Sequence, residues 1–290
     1  MIKPADKNQL EQLKHVWHVC FGDNFKEIDF FFTEFFANLH TIVYNKNCSA
    51  VAMINILPAK IIIKNRSIKA GYIYAAATLP EHRSCGIMAD MLEYTKDYAK
   101  KINIDALFLV PANDNLFKYY NNHGYNNFFY CKKTVLTKNQ LKSLKNRDEN
   151  AKILPNDMIF EIRKKYLNKK SYVSWDEKYI NYAITSNNNY GGKSIALKVL
   201  GEYAYMMYNK HKNQLIVKEM FCSKDNFPVL CNALLKNEPE CEKFIFRTIS
   251  DFAPFLNNGK IISFGMMLKI NDDLNLGFEN HENYLGLALD

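Results

Sequence analysis

The stretch Gly71–Leu92, GYIYAAATLPEHRSCGIMADML, narrows the choice of fold more than any other part of the chain. Its small and β-rich residues read as a strand up to Leu79; Pro80 breaks it, and a charged, glycine-bearing segment follows. From Ile87 the spacing changes: Met88, Met91, Leu92, Tyr98, Ala99 and Ile102 fall on one helical face. A strand that enters a helix through such a loop presents unpaired backbone N–H groups at the positive end of the helix dipole, a setting that suits an anion. Gly86 has no Cβ and lets the backbone approach a bulky diphosphate. Arg83 can add a charge-assisted contact. No Gly-Lys-Ser/Thr appears, so neither the lysine nor the metal-holding hydroxyl of a triphosphate cradle is present.

The bulk numbers exclude several classes. At 290 residues the chain is long enough for one large domain or two ordinary ones. The formal charge is +8, but the basic residues are dispersed, in nothing denser than pairs such as Lys100-Lys101 and Lys132-Lys133. A nucleic-acid binder gathers them on one face, so no nucleic-acid partner is expected. Seven cysteines without a CxxC pair argue against a disulfide framework or zinc ribbon and for a reducing compartment. His15 and His18 lack a third ligand nearby, so no metal is expected. With no signal-peptide core at the start and no long uncharged apolar run, the expected location is the cytoplasm, away from membranes.

The pattern along the chain is α/β (α+β). Lys7–Cys20 carries a helical stripe, and Asp29–Asn38, DFFFTEFFAN, is too aromatic for an exposed helix. Thr41–Tyr44, Ser49–Leu57 and Lys60–Lys64 read as a meander broken at Asn-Lys-Asn and at Pro58. Ala106–Val110 is a buried-type strand, Asn115–Asn122 a short helix ended by Gly124, and Asn127–Leu136 another strand. Thr137–Asp157 is polar and reads as a connection. Beyond it, Trp175–Ser186 looks helical, Ser194–Val199, Tyr203–Asn209 and Gln214–Met220 look like strands, and the element order resembles that of the first half. Two tandem domains are expected, at 1–140 and 141–290, each a mixed, mostly antiparallel sheet flanked by helices. The second lacks the glycine loop.

TLPEHRSCGIMADML resembles motif A of the GCN5-related N-acetyltransferases (GNAT). Asn115–Tyr125, NLFKYYNNHGY, resembles that family's second signature, in which a tyrosine stands four residues before a Gly-aromatic pair. The two motifs cover Ala75–Tyr125. Beyond them the layout, and a C-terminal YLGLALD, are similar to tandem acetyltransferases related to the mycobacterial enhanced-intracellular-survival protein, without their sterol-carrier-like domain.

The resemblance implies acetyl-CoA as co-substrate. Its pyrophosphate would lie on the backbone N–H groups of Arg83, Ser84, Cys85, Gly86, Ile87 and Met88, its pantetheine along the strand at Ala76, Ala77 and Thr78, with Asn115 near the pantetheine end. Tyr120 would give a proton to the departing thiolate, a role its hydroxyl suits. The sequence departs from the family at Met88, where Gly or Ala is usual, and in the strand GYIYAAAT, which has no carboxylate to act as base. The C-terminal carboxylate of Asp290 is expected to serve instead, as in the related tandem enzymes. Asp29 and Glu34 are candidates to anchor a cationic amine beside phenylalanine rings. The expected function is acetyl transfer to a primary amine, small molecule or peptide, in a chain compatible with homo-oligomers. The alternative is an acyl-CoA-binding sensor or interaction protein that has lost turnover.

Overall fold

The computed structural model describes residues 1–144, 151–199, 201–251, 256, 258–274 and 281–289. In order, the elements are β1 (Ile2–Pro4), α1 (Leu10–Phe21), α2 (Phe25–Phe35), β2 (His40–Lys46), β3 (Ser49–Ile63), β4 (Arg66–Thr78), α3 (Ile87–Lys101), β5 (Ala106–Leu109), α4 (Asp114–Asn122) and β6 (Asn126–Thr137). Then come α5 (Lys138–Lys142), β7 (Lys152–Leu154), α6 (Met158–Leu167), β8 (Tyr172–Ser174), α7 (Glu177–Asn189), β9 (Lys193–Val199), β10 (Glu202–His211), β11 (Gln214–Phe221), α8 (Phe227–Asn237), β12 (Lys243–Thr248) and β13 (Lys260–Lys269). Contacts gather these into two compact units, Met1–Ile61 with Arg66–Phe128 and Gly265–Glu279, and Ile62–Asn65 with Phe129–Phe264 and Asn280–Asp290.

In the first unit the strands run β1-β2-β3-β4-β5-β13. β1–β2 and β2–β3 are antiparallel, β4–β5 is parallel, and β5–β13 is antiparallel. The β2–β3 turn is the two-residue pair Asn47 and Cys48, both left-handed at φ 49° and 64°, the conformation whose twist matches a hairpin. Pro58 does not end a strand: β3 runs through it, and Pro58 is exposed, a setting in which a residue without an N–H is tolerated.

The aromatic run folds as α2, which starts earlier than its aromatic composition indicates because Asn24 caps it, its side chain accepting from the Glu27 N–H. Ile28, Phe31 and Phe32 face inward. Phe31 packs on Trp17 of α1 at 4.8 Å between ring centroids and on Tyr74 of β4 at 5.4 Å; Trp17 also meets Tyr74 at 5.4 Å. This stack fixes α1 and α2 against the C-terminal half of β4. α3 buries Ile87, Met91, Leu92, Thr95 and Ala99, and Met88 lies half-buried at the margin of that face.

The second unit repeats the plan, with strand order β6-β12-β11-β10-β9-β7. The parallel pair is β11–β12, and β12–β6, β11–β10, β10–β9 and β9–β7 are antiparallel. In each unit, a single helix connects the parallel strands, α3 in the first and α8 in the second. The sequence carries no strong periodic signal for α6, whose apolar positions are interrupted by Arg163, Lys164 and Lys165. Its core includes Tyr208, Phe244, Phe246, Leu230 and Leu234.

Truncating Phe31 to alanine removes a fully buried ring that joins α1, α2 and β4. A loss of about 3–5 kcal/mol is expected, read as a lower urea midpoint.

Candidate functional site

Two neighbouring strands that part leave an edge unpaired. β4 pairs with β5 at Ala70↔Ala106, Gly71↔Leu107 and Tyr72↔Phe108, and β4 then continues to Thr78. Gly71 lets the strands close at that point, since a Cβ there would sit 2.5 Å from Ile56 Cγ2 and 3.0 Å from Leu107 Cδ2. Beyond it Ala75 takes φ 49°, a left-handed residue within a strand, as at a bulge that bends and twists the chain. Ala76, Ala77 and Thr78 follow, with Ala77 buried and the other two half-buried. Small residues suit a stretch along which another backbone-like chain can lie.

The loop after β4 is braced from behind. Pro80–His82 forms a 3-10 turn; the Arg83 N–H donates to the Pro80 carbonyl at 3.2 Å, and Arg83 Nε donates to the Thr78 carbonyl at 2.9 Å. The Cys20 thiol of α1 reaches the same carbonyl at 3.4 Å. Burial pushes that thiol up, and Arg83 offsets part of the effect. The Arg83 N–H, expected to face an anion, is engaged inside the turn here, and its Nε ties the loop to the strand. The set left to face an anion begins at Ser84.

Ser84 (φ 60°) and Gly86 (φ 79°) are left-handed. Gly86 is the N-cap of α3 and no side chain caps that helix, so its first-turn N–H groups have no partner within the helix. A Cβ on Gly86 would meet no atom within 4 Å. The face is open, and glycine is required by the backbone dihedral. Cys85 is exposed, its Sγ 3.4 Å from the Arg83 carbonyl. Ala76–Thr78 and Ser84–Met88 thus form one strand–loop–helix run.

α4 follows β5 directly. Asn113 caps it, its side chain accepting from the Leu116 N–H at 3.1 Å, and Asn115 lies exposed on the first turn. Tyr120 is buried near the other end, its ring 5.7 Å from Tyr125 and 5.5 Å from Tyr119. Gly124 at φ 85° ends the helix, its N–H bonded to the Asn121 carbonyl at 3.0 Å, with the Tyr125 N–H on the Tyr120 carbonyl at 3.1 Å. Burial, with a smaller part from Tyr119, pushes the Tyr120 hydroxyl up to about 12. It stays protonated throughout the working range.

Asp29 and Glu34 both lie on α2. Asp29 is 53% exposed and pairs with Lys14 at 2.7 Å, whose ammonium is raised first by that carboxylate and then by Glu11. Asp29 lines a groove of about 640 Å³ with Lys7, Phe32, Phe36 and Thr41, and no residue of β4, α3 or α4 joins it. Glu34 is half-buried on the same helix. Asp290 lies outside the described residues. Sequence reasoning did not single out Cys20, Trp17 or Tyr74 for the site; the helical spacing of Trp17 and Cys20 was the available signal, but their partner strand was not visible in it. Among the described residues, no group of three or more His, Cys, Asp or Glu side chains could hold a metal ion. Nor is any helix among them long and apolar enough to cross a membrane.

Comparisons with known proteins bear on this arrangement, in which β4 pairs with β5 over three residues ahead of an uncapped, glycine-led α3. Residues 1–128 match the family model for the acetyltransferase (GNAT) domain. Among solved structures, the chain is similar to a probable N-acyltransferase from Enterococcus faecalis, with TM-score 0.76, 12% identity, and coverage of 93% of this chain and 73% of that one. It is similar to Eis1 from Mycobacterium abscessus (TM-score 0.65, 9% identity, 93% and 74% covered). It is also similar to a tandem GNAT protein from the clavulanic acid biosynthesis pathway (TM-score 0.58, 10% identity, 93% and 98% covered). No curated protein matches the chain in sequence.

Gly86→Ala isolates the dihedral requirement, because the added methyl group meets nothing. The left-handed conformation alone is expected to cost about 1–2 kcal/mol, measured as a lower melting temperature without ligand.

Proposed function

We propose that the chain transfers an acetyl group from acetyl-CoA to a primary amine at the first unit. The observation that carries this reading is the parting of β4 from β5 at Tyr72↔Phe108, directly ahead of the uncapped α3. The backbone of Ala76–Thr78 pairs with the pantetheine, and the N–H groups from Ser84 to Met88 take the pyrophosphate. Asn115 lies toward the pantetheine end. The amine nitrogen attacks the thioester carbonyl and the C–S bond breaks. Tyr120 gives its proton to the departing thiolate, and the Asp290 α-carboxylate accepts the proton that the amine loses. The second unit is a degenerate copy: the connection from β11 to α8 is CSKDN, without a glycine, and Pro228 removes a donor from the first turn of α8.

A non-catalytic acyl-CoA sensor is the second reading, favoured by a β4 that carries no carboxylate. An amine panel with detection of released CoA thiol separates the two. Release with at least one amine supports transfer; tight acetyl-CoA binding with no release for any amine supports the sensor.

Within the transferase reading, Tyr120→Phe is expected to lower kcat by about 10²-fold or more, with the acetyl-CoA Kd within twofold of native. Unchanged kcat would remove Tyr120 from the chemistry. The sign of the pH dependence follows from the raised hydroxyl: the acid form is lost only as pH rises through about 12. A pH profile of kcat is therefore expected to show no fall attributable to Tyr120 up to pH ~10, and to fall on the acid side as the amine and the carboxylate become protonated. A bulky group appended to Asp290 is expected to depress kcat sharply; full turnover in that protein excludes the C-terminal carboxylate as the base.

A further inference from the structure

The strand that parts in the first unit carries a column of aromatic rings along one face. Tyr72 and Tyr74 stand two residues apart on β4 and so share that face; their rings stack at 5.8 Å and 27°. Tyr72 stacks in turn on Phe108 of β5, its partner in the register, at 5.1 Å and 21°. On its other side Tyr74 meets Trp17 of α1 edge-on and Phe31 of α2 at a tilt, each at 5.4 Å. Phe108, Tyr72, Trp17 and Phe31 are buried, and of the five rings only Tyr74 keeps accessible surface, being half-buried. It is also the first residue on that face beyond the last β4–β5 pair, Tyr72↔Phe108. Directly after it comes Ala75, left-handed at φ 49°.

A ring held in that way offers a particular surface. Neighbours on several sides fix its plane, so a flat group laid on its accessible part costs little further side-chain freedom. Such a ring takes an aromatic partner by offset stacking or edge-to-face contact, and an ammonium through its quadrupole. The strand segment Gly71–Thr78, GYIYAAAT, has no charged side chain, so β4 supplies no carboxylate for the second ammonium of a polyamine. In the proposed reaction the pyrophosphate lies at Ser84–Met88 and the pantetheine along Ala76–Thr78. The acyl end then points up the strand toward Tyr74, two residues or about 7 Å before Ala76.

We infer that Tyr74 is a specificity-determining residue of the first unit and that the acceptor it selects is an arylalkylamine. This is a primary amine a short alkyl chain away from an aromatic ring, which packs on Tyr74 while the nitrogen reaches the thioester. The inference rests on the proposed function and narrows its acceptor class. The selecting contact is a ring set in place by α1 and α2, so polyamines and aminoglycoside-like polyols, which have no flat apolar body, are the poorer acceptors.

The test gives the full chain three amines: 2-phenylethylamine, its saturated analogue 2-cyclohexylethylamine, which matches it in size, and spermidine. For the native protein, kcat/KM for 2-phenylethylamine is expected to exceed that for the saturated analogue by about fivefold and that for spermidine by about tenfold or more. Tyr74→Phe keeps the ring and is expected to keep both preferences. Tyr74→Leu removes the ring and is expected to bring the phenyl-to-cyclohexyl ratio to about one, with the change in KM rather than kcat; Tyr74→Met serves the same purpose should circular dichroism show that leucine disturbs the fold. Equal use of the two ring amines by the native protein, or a preference for spermidine, would overturn the acceptor class. A native ratio in the leucine and methionine variants would remove Tyr74 as its determinant. If the native protein acetylates no amine, the proposed function fails, and calorimetry with CoA present decides the inference separately. Binding of 2-phenylethylamine about fivefold tighter than its analogue, lost in Tyr74→Leu, sustains the aromatic site; equal binding, or none, overturns it.

Discussion

β4 is held to β5 for three residues and then let go, and the site depends on where that release falls. A parallel pair needs a crossover connection, and here α3 supplies it, so the strand that parts is also the one that delivers the loop to the helix. Gly71 allows a close approach there, and Ala75 takes a left-handed φ just beyond it. The aromatic stack of Trp17, Phe31 and Tyr74 backs the released half. Without that backing, an unpaired strand edge with three alanines would have little to hold its course.

What the sequence shows of this is the part carried by local chemistry. Pro80, Gly86 and Gly124 act on their own dihedrals, so the strand end, the loop and both helix boundaries near them can be read from a short window. The role of Arg83 could not, because its partner is a backbone carbonyl, and any residue at position 78 supplies one. Pro58 signals a break by composition, yet β3 continues because solvent exposure makes the missing donor inexpensive. α6 is hidden for another reason. Arg163 occupies a buried position on it, and a charged residue there spoils the apolar period until Glu219, fifty-six residues later, is known to pair with it.

The two units also show why repeated architecture does not repeat chemistry. Parallel pairing stops at Tyr72↔Phe108 in the first and at Val217↔Phe246 in the second. Two residues further on stand Tyr74 and Glu219, respectively. In the first unit that position is aromatic and packs on Trp17 and Phe31, which leaves β4 without a carboxylate. In the second it is a carboxylate, but Arg163 and Tyr284 hold it at full burial, where it has no access to a substrate.

Two parallel N–H···O bonds from the buried Arg163 guanidinium fix the plane of the Glu219 carboxylate. Burial alone would lower the Arg163 guanidinium, yet Glu219 more than offsets this and raises it. The same carboxylate, added to burial, drives the Tyr284 hydroxyl well above the usual tyrosine range. The guanidinium and the hydroxyl therefore both keep their protons at any working pH. Such a cluster holds a shape. The segment whose shape it holds runs from Tyr284 to Gly286, within the second unit itself.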